Sequence, residues 1–542
     1  MTSPFDPASP YASARHPVFA RNVVATSHPL AAQVGLRTLQ QGGNAIDAAI
    51  ACAAAMTVLE PCSNGLGSDA FAIIWDGQRL QGLNASGRAP AAWTPGYFRQ
   101  RHGLDATRPP LRGWDAVTVP GAVAGWVALS ERYGQLPLVD LLAPAADIAE
   151  RGYGVPVVVQ QKWSAAAKVA ELVKQPGFAQ TFLPHGRAPS VGERFCLPGA
   201  ARALRAIGAS RGAAFYQGEI AQAMVAASAA QGGAMTAADL ASYQPEWVDT
   251  LHMAVRGHQL HEIPPNGQGL AALIALGLLR HHEFDHLAVD SAAAQHLQIE
   301  AMKLAFADVY HYLAEPGSMA VTAEQLLDPA YLAERARLID PRKAQDFGAG
   351  NPVKGGTIYL TTADEAGRMV SFIQSNYMGF GSGVVLPEWG LSLQNRGHGF
   401  VLADGHANQV APGKRPFHTI IPAFLTDAQG QPQMSFGVMG GHMQPQGHLQ
   451  TLLRMLAWHQ NPQAACDAPR WRFNQGLAID AEGHWPAETL QGLQDLGHQL
   501  TAYTDSYMDF GAGQFIWRLG DPAVAGYEAA SDPRRDGAAA GW

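Results

Sequence analysis

The spacing of apolar and polar positions changes several times along the chain, and each change predicts a structural element. Val23–Thr26 is a short apolar run typical of a buried strand, and 30–41 has the apolar spacing of a helix that is ended by a glycine pair. Asn44 is expected to cap a second, alanine-rich helix that runs to about Leu59. The small side chains of this second helix indicate close packing, so we expect it to be buried.

Period-two alternation farther along the chain predicts hairpins. The run FAIIWDGQRLQGLNA is expected to turn at Asp76-Gly77, and TIYLTTADEAGRMVSFIQS at Asp364–Gly367. Between these hairpins the spacing is mostly helical, with one further strand pair in LHMAVRGHQLHEIPP. Another helix is predicted near 446–459. Helices that pack around hairpins, without strict strand–helix alternation, predict an α+β layered fold.

Composition and charge exclude several classes of protein. The chain has 542 residues, of which 47% are hydrophobic and 15% charged, as in a compact globular protein. The net charge of −8 and the lack of a basic stripe argue against a nucleic-acid partner. There is no apolar run of about 18 residues that would span a membrane, and no secretory signal. We therefore expect a cytoplasmic protein whose residues 1–16 form a mobile tail.

Motifs for metal or nucleotide binding are incomplete. HHEFDH at 281–286 does not have the spacing of a helical metal motif. His296 and Glu300 share a helix face without a third ligand and are expected to be a packed surface pair. The four cysteines are also not spaced as metal ligands; they are Cys52, Cys62, Cys196 and Cys466. APGKRPFHT lacks the first glycine and the Ser/Thr of a phosphate loop. The sequence thus predicts no metal and no cofactor.

The glycine pair before Thr357 raises the possibility of a chain break. Gly355 and Gly356 lead directly into Thr357, the first hydroxyl residue of a predicted strand. If the peptide bond before Thr357 is cut, that residue carries a hydroxyl and a free α-amino group, whose ordinary pKa is about 7.7–8.0. Such an amine can act as the base that activates the hydroxyl of the same residue. The alternative is an ordinary loop end before a strand, and the tripeptide alone does not decide between the two.

Six sequence blocks, in order, resemble the γ-glutamyltransferase family of N-terminal-nucleophile hydrolases. They are VVATSHPLAAQVGLRTLQQGGNAIDAAIACAAAMTVLEPCSNGLGSDAF, GWDAVTVPGAVAGWVALSERYGQLPL, EIPPNGQGL, IEAMKLAFADVYHYLAEP, GKRPFHTIIPAF and GVMGGHMQPQGHLQ. This resemblance implies a four-layer αββα sandwich that cleaves itself into two subunits. The large subunit would be 17–356 with its tail, the small subunit 357–542, and the two would form one intertwined domain.

The resemblance also implies roles for individual residues. Thr357 occupies the nucleophile position, and Ser375 stands where the family has a second threonine that hydrogen-bonds the nucleophile. Arg88, in NASGRAP, matches the arginine that pairs with the substrate's carboxylate; the alternative for Arg88 is a surface ion pair. Gly440 and Gly441 match the glycines whose N–H groups form the oxyanion hole. The bond between Gly356 and Thr357 would be the one that is cleaved.

Several positions depart from the family pattern. Tyr377 replaces an asparagine, Gly399 replaces the acid that binds the substrate's α-amino group, and His418-Thr419 replaces a serine pair. Together with Arg396 in QNRG, the residues Tyr377, His418 and Thr419 are expected to bind substrate. For His418, a purely structural role is an equal alternative. These changes remove groups that would hold a zwitterionic glutamyl head.

The predicted reaction is hydrolysis of an amide whose acyl group bears a carboxylate, glutaryl- or γ-glutamyl-like, through an acyl-threonine ester. QNRG, KRPFHT and GGHMQPQGH resemble the cephalosporin (glutaryl) acylase and oxamate amidohydrolase branch of the family. A γ-glutamyl transferase or glutathione hydrolase is the alternative within the enzyme class, and an inactive binding relative is the non-enzyme alternative. The expected partners are a small-molecule amide and the chain's own cleaved subunit, with further pairing of these heterodimers left open.

Overall fold

Two seven-stranded antiparallel sheets form the centre of the molecule. The computed structural model describes residues 15–348, 356–504 and 510–542, so most of the predicted tail, and Gly355, lie outside the described residues. The first sheet has the order Ala538–Gly541 (β21), Val23–Thr26 (β2), Gly356–Ala363 (β10), Met369–Tyr377 (β11), Asp69–Trp75 (β3), Leu80–Ala85 (β4) and Glu246–Val248 (β7). The second has the order Val18–Ala20 (β1), Tyr527–Ser531 (β20), Ala512–Arg518 (β19), Pro432–Met439 (β15), Ala423–Asp427 (β14), His258–Glu262 (β9) and Leu251–Val255 (β8).

Smaller sheets and helices surround this pair. The short strands are Tyr153–Gly154 (β5) with Arg194–Phe195 (β6), Val385–Leu386 (β12) with Leu391–Ser392 (β13), and Trp471–Gln475 (β16), Ala478–Glu482 (β17) and Gln499–Tyr503 (β18). Helices of the first half are Pro29–Gln40 (α1), Ala45–Leu59 (α2), Pro95–His102 (α3), Ala122–Tyr133 (α4), Leu138–Arg151 (α5), Val157–Ala166 (α6), Ala170–Val173 (α7), Phe178–Phe182 (α8), Pro198–Ser210 (α9), Ala213–Tyr216 (α10), Glu219–Ala230 (α11) and Ala237–Ala241 (α12). Those of the second half are Leu270–Leu279 (α13), Ala292–Tyr312 (α14), Ala323–Leu326 (α15), Pro329–Ala336 (α16), Met443–Leu456 (α17), Pro462–Asp467 (α18) and Ala487–Asp495 (α19). Short 3-10 turns span Trp114–Ala116, Pro184–Gly186, Pro316–Ser318, Pro387–Trp389 and Arg396–Gly399. Among the described helices, none has both the length and the apolar run that crossing a bilayer requires.

Side-chain alternation in the strands produces the layers. In β3, Phe71 and Ile73 pack between the two sheets, whereas Ala72 and Ile74 pack against the helices on the outer face. The outer face of the first sheet is covered by α1, α2 and α4, with α5 packed on α2 and α9 on α5. That of the second is covered by α13, α17 and α18, with α14 packed on α13. The period-two pattern of strands thus gives two apolar faces for each sheet. The result is the predicted αββα sandwich.

Two helices show how local sequence sets the element boundaries. The Asn44 side chain accepts the N–H groups of Ile46 and Asp47, and the Asp47 side chain accepts that of Asn44, which confirms the predicted cap of the fully buried α2. The helix predicted near 446–459 instead begins at Met443. Pro445 lies in its first turn, where the missing N–H has no helical acceptor, so proline does not delay the start.

A buried ion cluster in the last third of the chain gives a stability prediction. Asp532 is fully buried and contacts Arg470 at 2.6 Å and Arg534 at 3.1 Å, and it also accepts the N–H of Gly513 at 2.8 Å. Burial alone would raise the pKa of Asp532, but these two guanidinium groups and the backbone donor lower it to about 2. Because the folded-state pKa is depressed, the stabilisation is present above the unfolded pKa of about 3.9 and is lost as pH falls toward 2.

We therefore expect Asp532→Asn to lower the free energy of unfolding by about 3–5 kcal/mol at pH 7, because two buried cations lose their counter-charge. The measurement is urea unfolding of the wild type and the variant at pH 7 and at pH 3. The difference between the two proteins should shrink at pH 3. An equal difference at both pH values would contradict the assigned charge of Asp532.

Candidate active site

Thr357 lies at a break in the pairing between β10 and β11. Gly356 pairs with Tyr377 and Ile358 pairs with Gln374, so the register shifts at Thr357. Such a bulge changes the direction in which a side chain points at the end of a strand pair. Thr357 is only 2% exposed, and its Oγ1 donates to Ser375 Oγ at 3.3 Å. The structure thus brings the two predicted hydroxyls together at one end of the first sheet.

The Ser375 hydroxyl is itself oriented by the backbone. Ser375 Oγ accepts the N–H of Tyr377 at 2.8 Å, and Tyr377 has a φ of +78° at the end of β11. Because Tyr377 also pairs with Gly356, the same residue fixes the strand that carries Thr357. The tyrosine at this departure from the family pattern therefore belongs to the wall of the site.

Gly440 and Gly441 form the turn between β15 and α17. Their φ angles are +125° and +63°, a region that favours glycine. Their carbonyls accept the N–H groups of Met443 and Gln444 in the first turn of α17. Within the described residues, neither Gly440 N–H nor Gly441 N–H has a hydrogen-bond acceptor. Two unused donors at a helix N-terminus are the arrangement that binds a developing negative charge.

Two glutamines lie beside this turn. Sequence reasoning missed Gln268, and it left the run 442–448, which includes Gln444, open between pocket lining and core packing. Gln268 Nε2 donates to the carbonyls of Thr419, at 2.5 Å, and Gly441, at 2.9 Å. Gln444 Nε2 faces Thr357 Oγ1 at 3.5 Å. Both residues lie in the sequence blocks that carry the family resemblance, yet a block match does not say which of its polar residues point inward.

Arg396 lies next to Tyr377 and Thr419 in the same site. It is 1% exposed; its Nη1 donates to Thr419 Oγ1 at 2.8 Å, and its guanidinium carbon lies 4.6 Å from the centre of the Tyr377 ring. Its Nε and Nη2 are buried and have no partner among the described residues. Burial lowers the pKa of Arg396 to about 10, opposed chiefly by Asp69, so the group remains a cation at neutral pH. A buried cation with two unused donors is suited to an anionic ligand.

His418 pairs with Asp69, a residue that sequence reasoning did not single out. Asp69 accepts His418 Nε2 at 3.2 Å and the N–H groups of Gly87 and Gly121 at 3.0 and 3.1 Å. His418 Nδ1 accepts the N–H of Ile420 at 3.4 Å, so the proton resides on Nε2. Burial, with the nearby arginines, lowers the pKa of His418 well below its usual range.

In this environment His418 is neutral, and its Nε2–H donates to the Asp69 carboxylate. Burial raises the pKa of Asp69 to about 6, although its backbone hydrogen bonds oppose the shift. His418 makes no hydrogen bond to Thr357. The structure therefore does not place it to take the proton of the nucleophile, and its predicted role in substrate binding stays a prediction beside the structural alternative.

The Arg88 guanidinium group forms ion pairs with two glutamates. Its guanidinium contacts Glu246 at 2.6 Å and Glu315 at 2.8 Å, and it also donates to the Gly413 carbonyl at 2.8 Å. Glu246 in turn pairs with Arg415 at 2.7 Å. None of these partners contacts Thr357. Because a substrate carboxylate would have to displace a carboxylate already bound, the placement does not support the expected role of Arg88 and matches the ion-pair alternative.

The one candidate metal group among the described residues is a hydrogen-bonded chain around a lysine. His498 joins His296 and Glu300 as a third possible ligand, and all three are buried, so the pair is not the surface pair that the sequence suggested. His296 Nε2 lies 2.8 Å from the Asp340 carbonyl and its Nδ1 lies 2.8 Å from His498 Nε2. Lys303 Nζ donates to Glu300 at 2.7 Å and approaches His498 Nδ1 at 3.4 Å. Each imidazole lone pair thus already accepts a hydrogen bond, and the Lys303 side chain lies within the group.

Comparison with known proteins identifies the family. The sequence model described as gamma-glutamyltranspeptidase matches residues 31–542. The chain belongs to the gamma-glutamyltranspeptidase family. It is therefore an N-terminal-nucleophile amidohydrolase or acyltransferase that processes itself into subunits.

Relatives within the gamma-glutamyltranspeptidase family align over nearly their full length. The chain is 36% identical to the oxamate amidohydrolase proenzyme of Klebsiella pneumoniae, covering 95% of this chain and 97% of the relative. It is 35% identical to the glutathione hydrolase-like YwrD proenzyme of Bacillus subtilis, covering 96% and 98%. The crystal structure of cephalosporin acylase from Bacillus halodurans is similar over 100% of this chain and 99% of that one, with a TM-score of 0.94 and 47% identity.

Proposed function

We propose that the chain cleaves itself between Gly356 and Thr357, and that Thr357 then serves as the nucleophile of an amidohydrolase. The large subunit would end at Gly356 and the small subunit would be 357–542. The bulge at Thr357 and its hydrogen bond to Ser375 support this assignment. A free α-amino group with a pKa near 8 is then the base nearest to Oγ1, because His418 is neutral and engaged with Asp69.

The reaction follows from the positions of these groups. The α-amino group of Thr357 accepts the proton of Oγ1 as this oxygen bonds to the amide carbon of the substrate. The carbonyl oxygen becomes an oxyanion, for which the N–H groups of Gly440 and Gly441 are the donors. The protonated amine then passes its proton to the departing nitrogen as the C–N bond breaks. Water hydrolyses the resulting acyl-threonine ester by the same sequence of proton transfers.

We propose that Arg396 binds a carboxylate at the far end of the acyl group. The single observation that carries this proposal is the pair of buried, unpartnered donors, Nε and Nη2, on a cation next to Tyr377. Leaving two charged donors unsatisfied in a buried site costs free energy, and a carboxylate satisfies both in one bidentate contact. Arg396 thus takes the role that the sequence suggested for Arg88, whose charge is already balanced.

Asp69 and Glu246 are already paired within the protein, which disfavours an α-amino group on the acyl chain. Asp69 accepts three hydrogen bonds within the protein, while Glu246 is shared by Arg88 and Arg415. Gly399 offers no charge at the family's acidic position. A γ-glutamyl ammonium would be desolvated without a partner, at a cost of the order of kilocalories per mole. The favoured substrate is an amide of a dicarboxylic acid, a class that includes oxamate, for which one relative is named.

A substrate comparison tests this proposal. We expect kcat/KM for glutaryl-p-nitroanilide to exceed that for γ-glutamyl-p-nitroanilide by about tenfold or more, since burying an unpaired ammonium costs at least about 1.4 kcal/mol. Butyryl-p-nitroanilide, which lacks the terminal carboxylate, is the matched control and should also be slow. Faster turnover of the γ-glutamyl compound would overturn the proposal and favour the glutathione hydrolase alternative. Trapping with glycylglycine separates transfer from hydrolysis.

A further inference from the structure

Gln444 presents its side-chain nitrogen to the nucleophile. It is the second residue of α17 and is fully buried. Its Oε1 accepts the N–H of Ile421 at 2.9 Å, and its Nε2 lies 3.5 Å from Thr357 Oγ1. Because only the oxygen of a carboxamide can accept the Ile421 proton, the group that faces Thr357 is the NH₂ donor.

The hydroxyl of Thr357 is arranged to accept this donor. Its single proton is directed to Ser375 Oγ at 3.3 Å, which leaves the lone pairs of Oγ1 for Gln444. The other buried glutamine of the site, Gln268, already donates to the carbonyls of Thr419 and Gly441. Of these two glutamines, Gln444 is therefore the one whose NH₂ group can donate a hydrogen bond to a negatively charged Oγ1.

We propose that Gln444 is a catalytic residue that donates a hydrogen bond to Thr357 Oγ1 when this oxygen carries negative charge. The inference rests on the proposed role of Thr357 as the nucleophile. In deacylation, a water oxygen bonds to the acyl carbon while the α-amino group of Thr357 accepts one proton of that water. The bond from the acyl carbon to Oγ1 breaks, and its electron pair goes to Oγ1. The α-ammonium group returns a proton to Oγ1, while Gln444 keeps both of its protons and supplies only the hydrogen bond.

With Gln444 as a donor, the two oxygens that become negatively charged during the reaction have separate hydrogen-bond donors. The N–H groups of Gly440 and Gly441 are suited to the oxygen of the substrate carbonyl, whereas Gln444 contacts the nucleophile's own oxygen. The separation of 3.5 Å is that of the resting state, and catalytic hydrogen bonds tighten when charge develops. The same contact is available during self-cleavage, because Oγ1 is also the attacking atom in that reaction.

The test compares Gln444→Glu, Gln444→Met and a control, Gln450→Glu. Gln450 lies in the same helix, is buried, and also accepts a backbone N–H, that of Trp471, but it faces β16 and not Thr357. We expect each Gln444 variant to lose about 10²-fold in kcat for glutaryl-p-nitroanilide or in the rate of self-cleavage, the usual effect of removing one such donor. The control should stay within threefold in both, with melting temperatures recorded for all three.

The pH profile adds a readout that a packing defect would not give. In Gln444→Glu the new carboxylate repels charge on Oγ1 until it is protonated, so the activity of this variant relative to the wild type should rise as pH falls; Gln444→Met should show no such rise. A loss of less than tenfold in both reactions for both Gln444 variants would overturn the inference. A wild type that is not cut before Thr357 would instead overturn the proposed nucleophile, so the two failures are distinguishable.

Discussion

Replacing Thr357 by alanine is expected to abolish both self-cleavage and amide hydrolysis. The variant lacks the oxygen that attacks either the Gly356 carbonyl or the substrate, and the uncut chain does not release the α-amino base. Removal of a nucleophile in this class of mechanism costs at least about 10⁴-fold in kcat. The measurements are the denatured mass of the protein and the release of p-nitroaniline from glutaryl-p-nitroanilide.

Thr357→Ser is the matched control, because it keeps the hydroxyl and removes only a methyl group from a buried side chain. It should still cut the chain and retain measurable turnover. Hydrolysis by Thr357→Ala at the wild-type rate would mean that another group is the nucleophile. The contact between Oγ1 and Ser375 would then be structural.

Replacing Arg396 by methionine is expected to have the second-largest effect. Loss of a buried cation that binds the substrate's carboxylate leaves that anion unpaired, at about 3–5 kcal/mol, so kcat/KM for glutaryl-p-nitroanilide should fall by a factor between about 10² and about 4 × 10³. The turnover of butyryl-p-nitroanilide should be unchanged or increased, because this compound has no carboxylate to bind. Steady-state kinetics on both substrates measure this change in selectivity.

Arg88→Met is the control for this experiment. Arg88 is about one-third exposed and its contacts are to Glu246 and Glu315, so its loss should affect the two substrates equally. If Arg88→Met removed the preference for the glutaryl substrate and Arg396→Met did not, the anchor would be Arg88, as the family resemblance suggested.

The strands and the capped helix were predictable because their signals are local. Alternation in β3 and β11 separates the two faces of the sheet, and Asn44 caps α2 through residues two and three positions away. The helix predicted near 446–459 begins three residues earlier, at Met443, because the first helical turn tolerates Pro445. Local patterns thus gave the elements, and the family resemblance gave their arrangement.

Part of the site could not be predicted because its pairings are distant in sequence. Arg88 pairs with Glu246 and Glu315, which are 158 and 227 residues away in the sequence. The sequence around NASGRAP does not indicate either partner. Asp69 and His418 are separated by 349 residues. Which arginine keeps unused donors depends on these pairings. Sequence reasoning identified both arginines and assigned the anchor to Arg88, whereas we propose Arg396.

Self-cleavage before Thr357 is decided by the denatured mass and the N-terminal sequence of the purified wild type. We expect two chains, the smaller of which begins at Thr357, and a Thr357→Ala variant that remains whole. A wild type that stays at 57.6 kDa, or a small chain that begins elsewhere, would contradict it.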